Sequence, residues 1–180
     1  MKQVTLLCSI FAMIVMSSFL CAQAKIGFVN STRAVTETDE GKAEVQKIEN
    51  WAKGEQDKIA AMQNDANEKK QQLRNQQNML SDEKKAELIE EIDRLETTMK
   101  RVQEDAQKEY ERLMQEFGRK MDRKMSPLFN KYAKDNNYTM ILYISPQSIS
   151  QVIAYYSEEN DITDAIIKLY NQTYPFTPGS

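Results

Sequence analysis

The sequence predicts an α+β fold in which a long antiparallel helical hairpin, paired as a coiled coil, projects from a small β-rich oligomerisation body. Residues 42–126 contain no proline and two glycines, and they consist mainly of strong helix formers. Short β-branched and aromatic runs lie near both ends of the chain. With only five Gly and four Pro among 180 residues, turns are few and the elements between them are long.

The composition excludes most catalytic and metal-binding chemistry. The chain has no histidine, the usual general base and the commonest metal ligand. Its two cysteines, Cys8 and Cys21, both lie in the first 21 residues, so no thiol is available further along. The formal net charge of −3 argues against nucleic-acid binding, which needs a basic face. We therefore expect no enzyme activity, no cofactor and no metal site.

The first 24 residues are predicted to be a cleaved signal peptide. Lys2 precedes an uncharged run from Val4 to Cys21, and Ala22-Gln23-Ala24 supplies small residues at alternate positions. An uncleaved membrane anchor is a weaker alternative, and a lipid anchor on Cys21 is disfavoured because Leu20 precedes it. The sequence therefore predicts an exported protein without disulfides.

The outgoing half of the hairpin follows a three-and-four spacing of apolar residues. Eleven positions between 45 and 80 fit this spacing and eight are apolar, as in a coiled-coil seam. Because Glu, Lys and Gln occupy the other three positions, the seam is predicted to be thin. The eleven residues are Val45, Ile48, Ala52, Glu55, Ile59, Met62, Ala66, Lys69, Leu73, Gln76 and Leu80.

The returning half is predicted to begin after a break at residues 78–83, where Ser81 and the acids that follow it fit a helix start. Its apolar residues again alternate by four and three, and Pro127 is expected to mark a kink or a restart of the helix. The predicted arm covers residues 42–136, with Gly54 and Gly118 as candidate hinges. The returning seam is Leu88, Ile92, Leu95, Met99, Val102 and Ala106.

The body is predicted to combine residues 25–41 with residues 137–174. Three short runs, residues 25–30, 138–144 and 149–156, have the composition of strands, and an amphipathic helix follows them. The strands are apolar on both faces, and the chain offers a cover for only one face. The expected second cover is another copy of the chain, and residues 175–180 form a disordered tail. The candidate oligomer-core residues are Ile26, Phe28, Ile141, Tyr143 and Val152.

Three local sequences carry a family resemblance: Lys25-Ile-Gly-Phe-Val-Asn30, Asn137-Tyr-Thr-Met-Ile-Leu142 and Asp161-Ile-Thr-Asp-Ala-Ile166. Together with the signal peptide and the thin-seamed hairpin, they resemble the Skp/OmpH family of periplasmic chaperones over roughly residues 25–171. The resemblance implies a jellyfish-like homotrimer whose helical arms surround a cavity. It also implies an ATP-independent holdase that keeps unfolded outer-membrane β-barrel proteins soluble.

Diffuse, adaptable contacts suit such a role, and methionine in particular fits varied apolar partners. The candidate client contacts are Met62, Leu73, Met79, Met99 and Met114. Unlike the strongly basic members of the family, this chain is acidic, so a lipopolysaccharide site does not carry over. The one locally basic cluster, residues 119–124, fits an anionic lipid or client, or an ordinary solvated helix turn.

Two other classes of function remain open at this point. A structural spacer of the cell envelope, such as an efflux-type adaptor, also mounts a helical hairpin on a β-rich body, although adaptors need larger β-domains. An enzyme would have to use carboxylates such as Asp161 with Asp164, or Glu158 with Glu159. Capping and solubility explain those carboxylates without chemistry.

Overall fold

The computed structural model describes residues 24–76, 78–145 and 153–177. The predicted signal peptide, apart from Ala24, and the candidate oligomer residue Val152 therefore lie outside the described residues. The helices and strands, in chain order, are β1 (Ile26–Asn30), α1 (Ser31–Thr36), α2 (Asp39–Asn75), α3 (Asp82–Asp135), β2 (Met140–Ile144), a short 3-10 turn (Glu158–Asn160) and α4 (Thr163–Thr173).

The two long helices begin at side chains that cap their free N–H groups. The Thr38 hydroxyl accepts the Gly41 N–H at 2.9 Å, so α2 begins three residues before the predicted arm. Ser81 caps α3 as predicted, accepting the Lys84 N–H at 3.3 Å. The helix ends where Asn137 takes a left-handed backbone conformation with φ of 56°, which asparagine tolerates better than most residues.

Helices α2 and α3 form an antiparallel hairpin, as predicted. Lys69 pairs with Glu91 at 2.8 Å near the tip, and Lys120 pairs with Glu44 at 2.8 Å near the base, so residue numbers run in opposite directions along the two helices. Helix α2 has 37 residues and is about 55 Å long. Helix α3 has 54 residues, about 80 Å, and its last turns enter the body.

The regularly spaced apolar residues predicted as the seam lie along the contact between these two helices. Every predicted seam position of the outgoing helix except Gln76 is buried or half-buried, and so is every predicted seam position from Leu88 to Ala106. Pro127 is expected to mark a kink or a restart of the helix. The helix does not restart there, because α3 continues through Pro127. Buried Met125 and Leu128 hold this turn against the core, although proline cannot donate a hydrogen bond there.

Within the described residues the sheet has two of the three predicted strands. Strands β1 and β2 pair in parallel, from Ile26 opposite Met140 to Asn30 opposite Ile144, and they form the whole sheet of the described residues. Of the predicted strand at 149–156, residues 153–156 are described and form no strand. The place beside β1 is taken by Asp161, which bridges to Phe28. The body described here is therefore a two-stranded sheet covered by helices.

The core lies where the base of the arm meets the sheet and α4. Tyr170 and Ile166 of α4 are fully buried there against Met121 of α3 and Val29 of β1. Helix α4 is tied to β1 by the Asn30 N–H, which donates to the Thr163 hydroxyl at 2.9 Å. The buried cluster consists of Val29, Ala34, Ile48, Phe117, Met121, Met125, Leu128, Ile162, Ile166 and Tyr170.

Gly41 and Gly54 lie in the same helix and should respond to alanine in opposite directions. A Cβ at Gly41 would lie 1.9 Å from the Val35 carbonyl oxygen, whereas one at Gly54 meets nothing within 4 Å. We expect Gly41→Ala to destabilise the fold by about 2 kcal/mol and Gly54→Ala to stabilise it by about 0.5–1 kcal/mol. Urea unfolding followed by circular dichroism measures both. A stable Gly41→Ala variant would contradict the tight turn between α1 and α2.

Candidate binding and assembly surfaces

The middle of the arm contains no buried side chain. Helix α2 has none over residues 49–65 and α3 has none over residues 93–116, both of which are described in full. Buried contacts occur instead at the base, with Ile48 and Phe117, and nearer the tip, with Ala66, Leu88 and Ile92. The arm is therefore anchored at two ends, and a half-buried apolar seam joins them.

The five candidate client contacts do not form one surface. Met79 at the tip is 86% exposed and Met114 on α3 is also exposed, so both are available to a partner. Met62, Leu73 and Met99 are half-buried in the seam between the two helices. In these three the structure shows helix packing, and contact with a partner would require the seam to loosen.

The candidate oligomer-core residues also divide into two groups. Tyr143 is 55% exposed and Ile26 lies exposed on the neighbouring strand. Ile141 packs against the core, and the Phe28 ring lies tilted against the Tyr156 ring with centroids 4.8 Å apart. The exposed pair and Met140, which is 51% exposed, leave the sheet with uncovered apolar surface.

An apolar groove adjoins Tyr143. It is open, has a volume of about 380 Å³ and runs between α1, α3 and β2. Phe129 forms its wall beside Tyr143, in an edge-to-face ring contact with centroids 5.3 Å apart. The residues lining the groove are Ser31, Ala34, Val35, Gly118, Asp122, Met125, Phe129 and Tyr143.

A buried carboxylate, Glu40, ties the base of the arm to α4. It is 6% exposed and accepts hydrogen bonds from Lys124 at 2.6 Å, from the Tyr170 hydroxyl at 2.5 Å and from Lys120 at 2.9 Å. Lys120 also pairs with Glu44 at 2.8 Å. One carboxylate of α2 thus joins two turns of α3 to the terminal helix.

Comparison with known proteins agrees with this architecture. The sequence model of the family described as Outer membrane protein (OmpH-like) matches residues 25–170. The chain belongs to this OmpH-like family. No curated protein is similar enough in sequence to match it. The family match covers β1, both arm helices, β2 and the first eight of the eleven residues of α4.

A solved structure shares the fold of this OmpH-like protein. It is an OmpH-like protein from Caulobacter crescentus CB15, proposed to be an outer membrane chaperone. The two superpose with a TM-score of 0.67 at 14% sequence identity, over 86% of this chain and 88% of the other. At that identity the likeness concerns the fold.

Two of the four acidic residues near α4 make structural contacts in this OmpH-like protein. Asp161 accepts the Thr163 N–H at 2.8 Å, and Asp164 pairs with Arg33 at 2.8 Å. Glu158 and Glu159 lie in the short 3-10 turn. Among residues 24–76, 78–145 and 153–177, no group of three or more acidic, His or Cys side chains is placed to hold a metal ion. No helix in those ranges is long and apolar enough to cross a membrane.

Sequence reasoning missed the role of Glu40. In the sequence it is one of two acids in the first turn of a helix, where an acid is expected for its charge alone. Its partner Tyr170 is 130 residues away along the chain, and no local pattern joins them. The spacing of Lys120 and Lys124, one turn apart within the basic cluster, was the one available signal that both face the same way.

The hydrogen bonds to Glu40 change its acidity. Burial acts to raise its pKa, but the bonds from Lys124, Tyr170 and Lys120 outweigh burial and lower the pKa to about 2 from a usual value of 4.5. Burial and the bond to Glu40 raise the pKa of the Tyr170 hydroxyl, which stays protonated. The base of the arm is thus held by an ionised carboxylate at neutral pH.

Because the pKa of Glu40 is lowered on folding, its contribution to stability is complete above pH 4.5 and is lost as the pH falls towards 2. We expect Glu40→Gln to lower the free energy of unfolding at pH 7 by on the order of 3 kcal/mol, and the difference from wild type to shrink below pH 4. Urea unfolding at several pH values measures this. Glu104→Gln, on the exposed face of α3, should follow the wild-type curve; equal curves for Glu40→Gln and wild type would contradict the assignment.

Proposed function

We propose that this OmpH-like protein is an ATP-independent holdase chaperone of the periplasm. It binds unfolded outer-membrane β-barrel proteins between its helical arms and prevents their aggregation. The observation that carries the proposal is the arm itself: a helical hairpin whose middle has no buried side chain, mounted on a small packed base. Membership of the OmpH-like family supports the proposal, and so does the shared fold with the Caulobacter crescentus protein, itself proposed to be an outer membrane chaperone.

The physical requirements of a holdase match this arm. Without a nucleotide to release its client, a holdase must bind through many weak contacts that add up while each remains reversible. Exposed Met79 and Met114 supply adaptable apolar contacts, and half-buried Met62 and Met99 become available where the seam loosens. Charged side chains along the outer faces keep the loaded arm in solution.

The second part of the proposal is a homotrimer built on the body. The outer edge of β2 has no neighbouring strand among the described residues, and Met140 and Tyr143 are more than half exposed. An apolar strand edge of this kind favours pairing with another chain. Copies joined through their sheets would hold three arms around one cavity.

The proposed location follows from the signal peptide predicted over residues 1–24. Cleavage after Ala24 would release a chain that begins one residue before β1. The family association with outer-membrane proteins supports a periplasmic location. In that compartment the protein meets β-barrel chains after export and before they insert into the outer membrane.

Assembly can be tested through the exposed sheet. We expect the wild-type protein to sediment at three times the monomer mass, and Met140→Lys with Tyr143→Lys to shift it to monomer, because buried lysines would lose their hydration. Analytical ultracentrifugation measures the mass. Ile89→Lys, an exposed apolar residue on the arm, is the matched control and should remain trimeric. A double variant that stays trimeric would place the interface elsewhere.

The holdase activity can be tested with a urea-unfolded outer-membrane β-barrel protein diluted into buffer. We expect the intact protein to suppress light scattering at about one trimer per client. A variant that lacks residues 56–109, closed by a short glycine turn, keeps Ile48, Phe117 and the Glu40 bonds but should lose the suppression. Circular dichroism and sedimentation control for folding of the shortened variant.

Equal scattering with intact protein, shortened protein and buffer would contradict the holdase proposal. A structural spacer of the cell envelope would then be the better account of the arm. Suppression by both proteins would instead place client binding on the body, beside the apolar groove that Tyr143 and Phe129 line.

A further inference from the structure

The basic cluster at residues 119–124 divides into two pairs in the structure. Lys120 and Lys124 face α2, where they pair with Glu40 and Glu44. Arg119 and Arg123 lie one helical turn apart on an exposed face of α3. Arg123 donates to the Arg119 carbonyl oxygen at 3.2 Å, and neither guanidinium has an ion-pair partner among the described residues. The cluster therefore presents two unpaired cations.

These two guanidiniums border a groove at the base of the arm. The groove is open, has a volume of about 490 Å³ and lies along the contact between α2 and α3. Ile48, Leu113 and Phe117 form its apolar floor. Two carboxylates, Glu44 and Glu116, lie on its rim and are each bonded through one oxygen, to Lys120 at 2.8 Å and to Arg112 at 2.5 Å.

We propose that this groove binds a peptide segment in which apolar side chains alternate with a carboxylate. The apolar side chains would contact Ile48, Leu113 and Phe117, and the carboxylate would pair with Arg119 and Arg123. The inference rests on the proposed function, because such a segment would belong to an unfolded client. It adds a preferred anchoring site to contacts that are otherwise diffuse.

The charge pattern favours a peptide over a phosphate group. Guanidinium groups bind a carboxylate through paired N–H donors, and neither arginine is held in an ion pair within the described part of the chain; Arg123 uses its Nε for the Arg119 carbonyl oxygen and keeps its two Nη groups for a carboxylate. Glu44 and Glu116 on the same rim would repel a doubly charged phosphate more strongly than a singly charged carboxylate, and their second oxygens can accept N–H donors from a peptide backbone. A lipid phosphate offers no such donors.

The apolar floor supplies the second half of the recognition. Phe117 and Ile48 are buried against each other, so they form a firm surface and do not have to be ordered on binding. The floor is also the lower anchor of the arm, next to the Glu40 cluster. A segment bound there would lie at the packed base of the arm.

The test uses two fluorescein-labelled peptides that differ in charge alone. The first contains Phe-Asp-Leu-Asp-Phe between neutral Gly-Ser flanks, and the second has both Asp residues replaced by Asn. Fluorescence anisotropy with purified wild-type protein should show the Asp peptide binding about tenfold more tightly. This comparison needs no variant, so a folding defect cannot affect it. Equal binding of the two peptides would overturn the proposal.

Variants then locate the site. Arg119→Gln with Arg123→Gln should weaken binding of the Asp peptide about tenfold and leave the Asn peptide unchanged. Arg94→Gln with Arg101→Gln removes the same charge from α3 outside the groove and should change binding less than about twofold. Equal losses in both double variants would mean that the whole surface potential attracts the peptide, and the site assignment would be wrong.

Two further measurements separate this inference from its alternatives. Co-sedimentation with phosphatidylglycerol vesicles should not depend on Arg119 and Arg123; loss of vesicle binding in that double variant, with no loss of peptide binding, would overturn the peptide in favour of a lipid. The light-scattering assay with the unfolded β-barrel tests the holdase activity separately. Suppression of scattering by wild type, without any preference for the Asp peptide, would overturn this inference and leave the proposed function standing.

Discussion

The attachment of the arm to the body depends on the hydrogen bonds made by the Glu40 carboxylate. It lies in the first turn of α2 and is held by Lys120 and Lys124 of α3 and by Tyr170 of α4. A buried carboxylate without such partners would destabilise the fold, because it would lose its hydration without gaining hydrogen bonds. Removing either side of the cluster would likewise leave a buried charged group without its partner. The direction in which the arm leaves the body is therefore set by specific polar contacts as well as by apolar packing.

The arm has the opposite character to its base. Its middle relies on half-buried side chains and on surface ion pairs, and exposed pairs of that kind each add little stability. Tight packing resists deformation, whereas a thin seam lets two helices shift relative to each other at small cost. The molecule thus combines a fixed attachment, held by contacts between distant parts of the chain, with an adaptable extension whose thin seam follows from local sequence.

Sequence periodicity predicted the arm closely because helix spacing is a local property. The seam positions, the Ser81 cap and the end of α3 all depend on residues within a few turns of each other. The body was predicted less well. The Asp161 bridge beside β1 and the Glu40–Tyr170 bond join distant parts of the chain, and Pro127 stays helical because tertiary packing of Met125 and Leu128 overrides its local preference.

The parallel pairing of β1 with β2 has a consequence for the order of folding. The entire arm lies between these two strands, and the bond from Asn30 to Thr163 spans 133 residues. Contacts between residues so distant in sequence form slowly, whereas a helical hairpin can form from its turn outwards through contacts between residues near in sequence. During synthesis the arm can form first, whereas β1 can pair only after the last quarter of the chain has been made. Changes in arm length would leave the strand register untouched, because the ladder depends only on the point where the two helices re-enter the body.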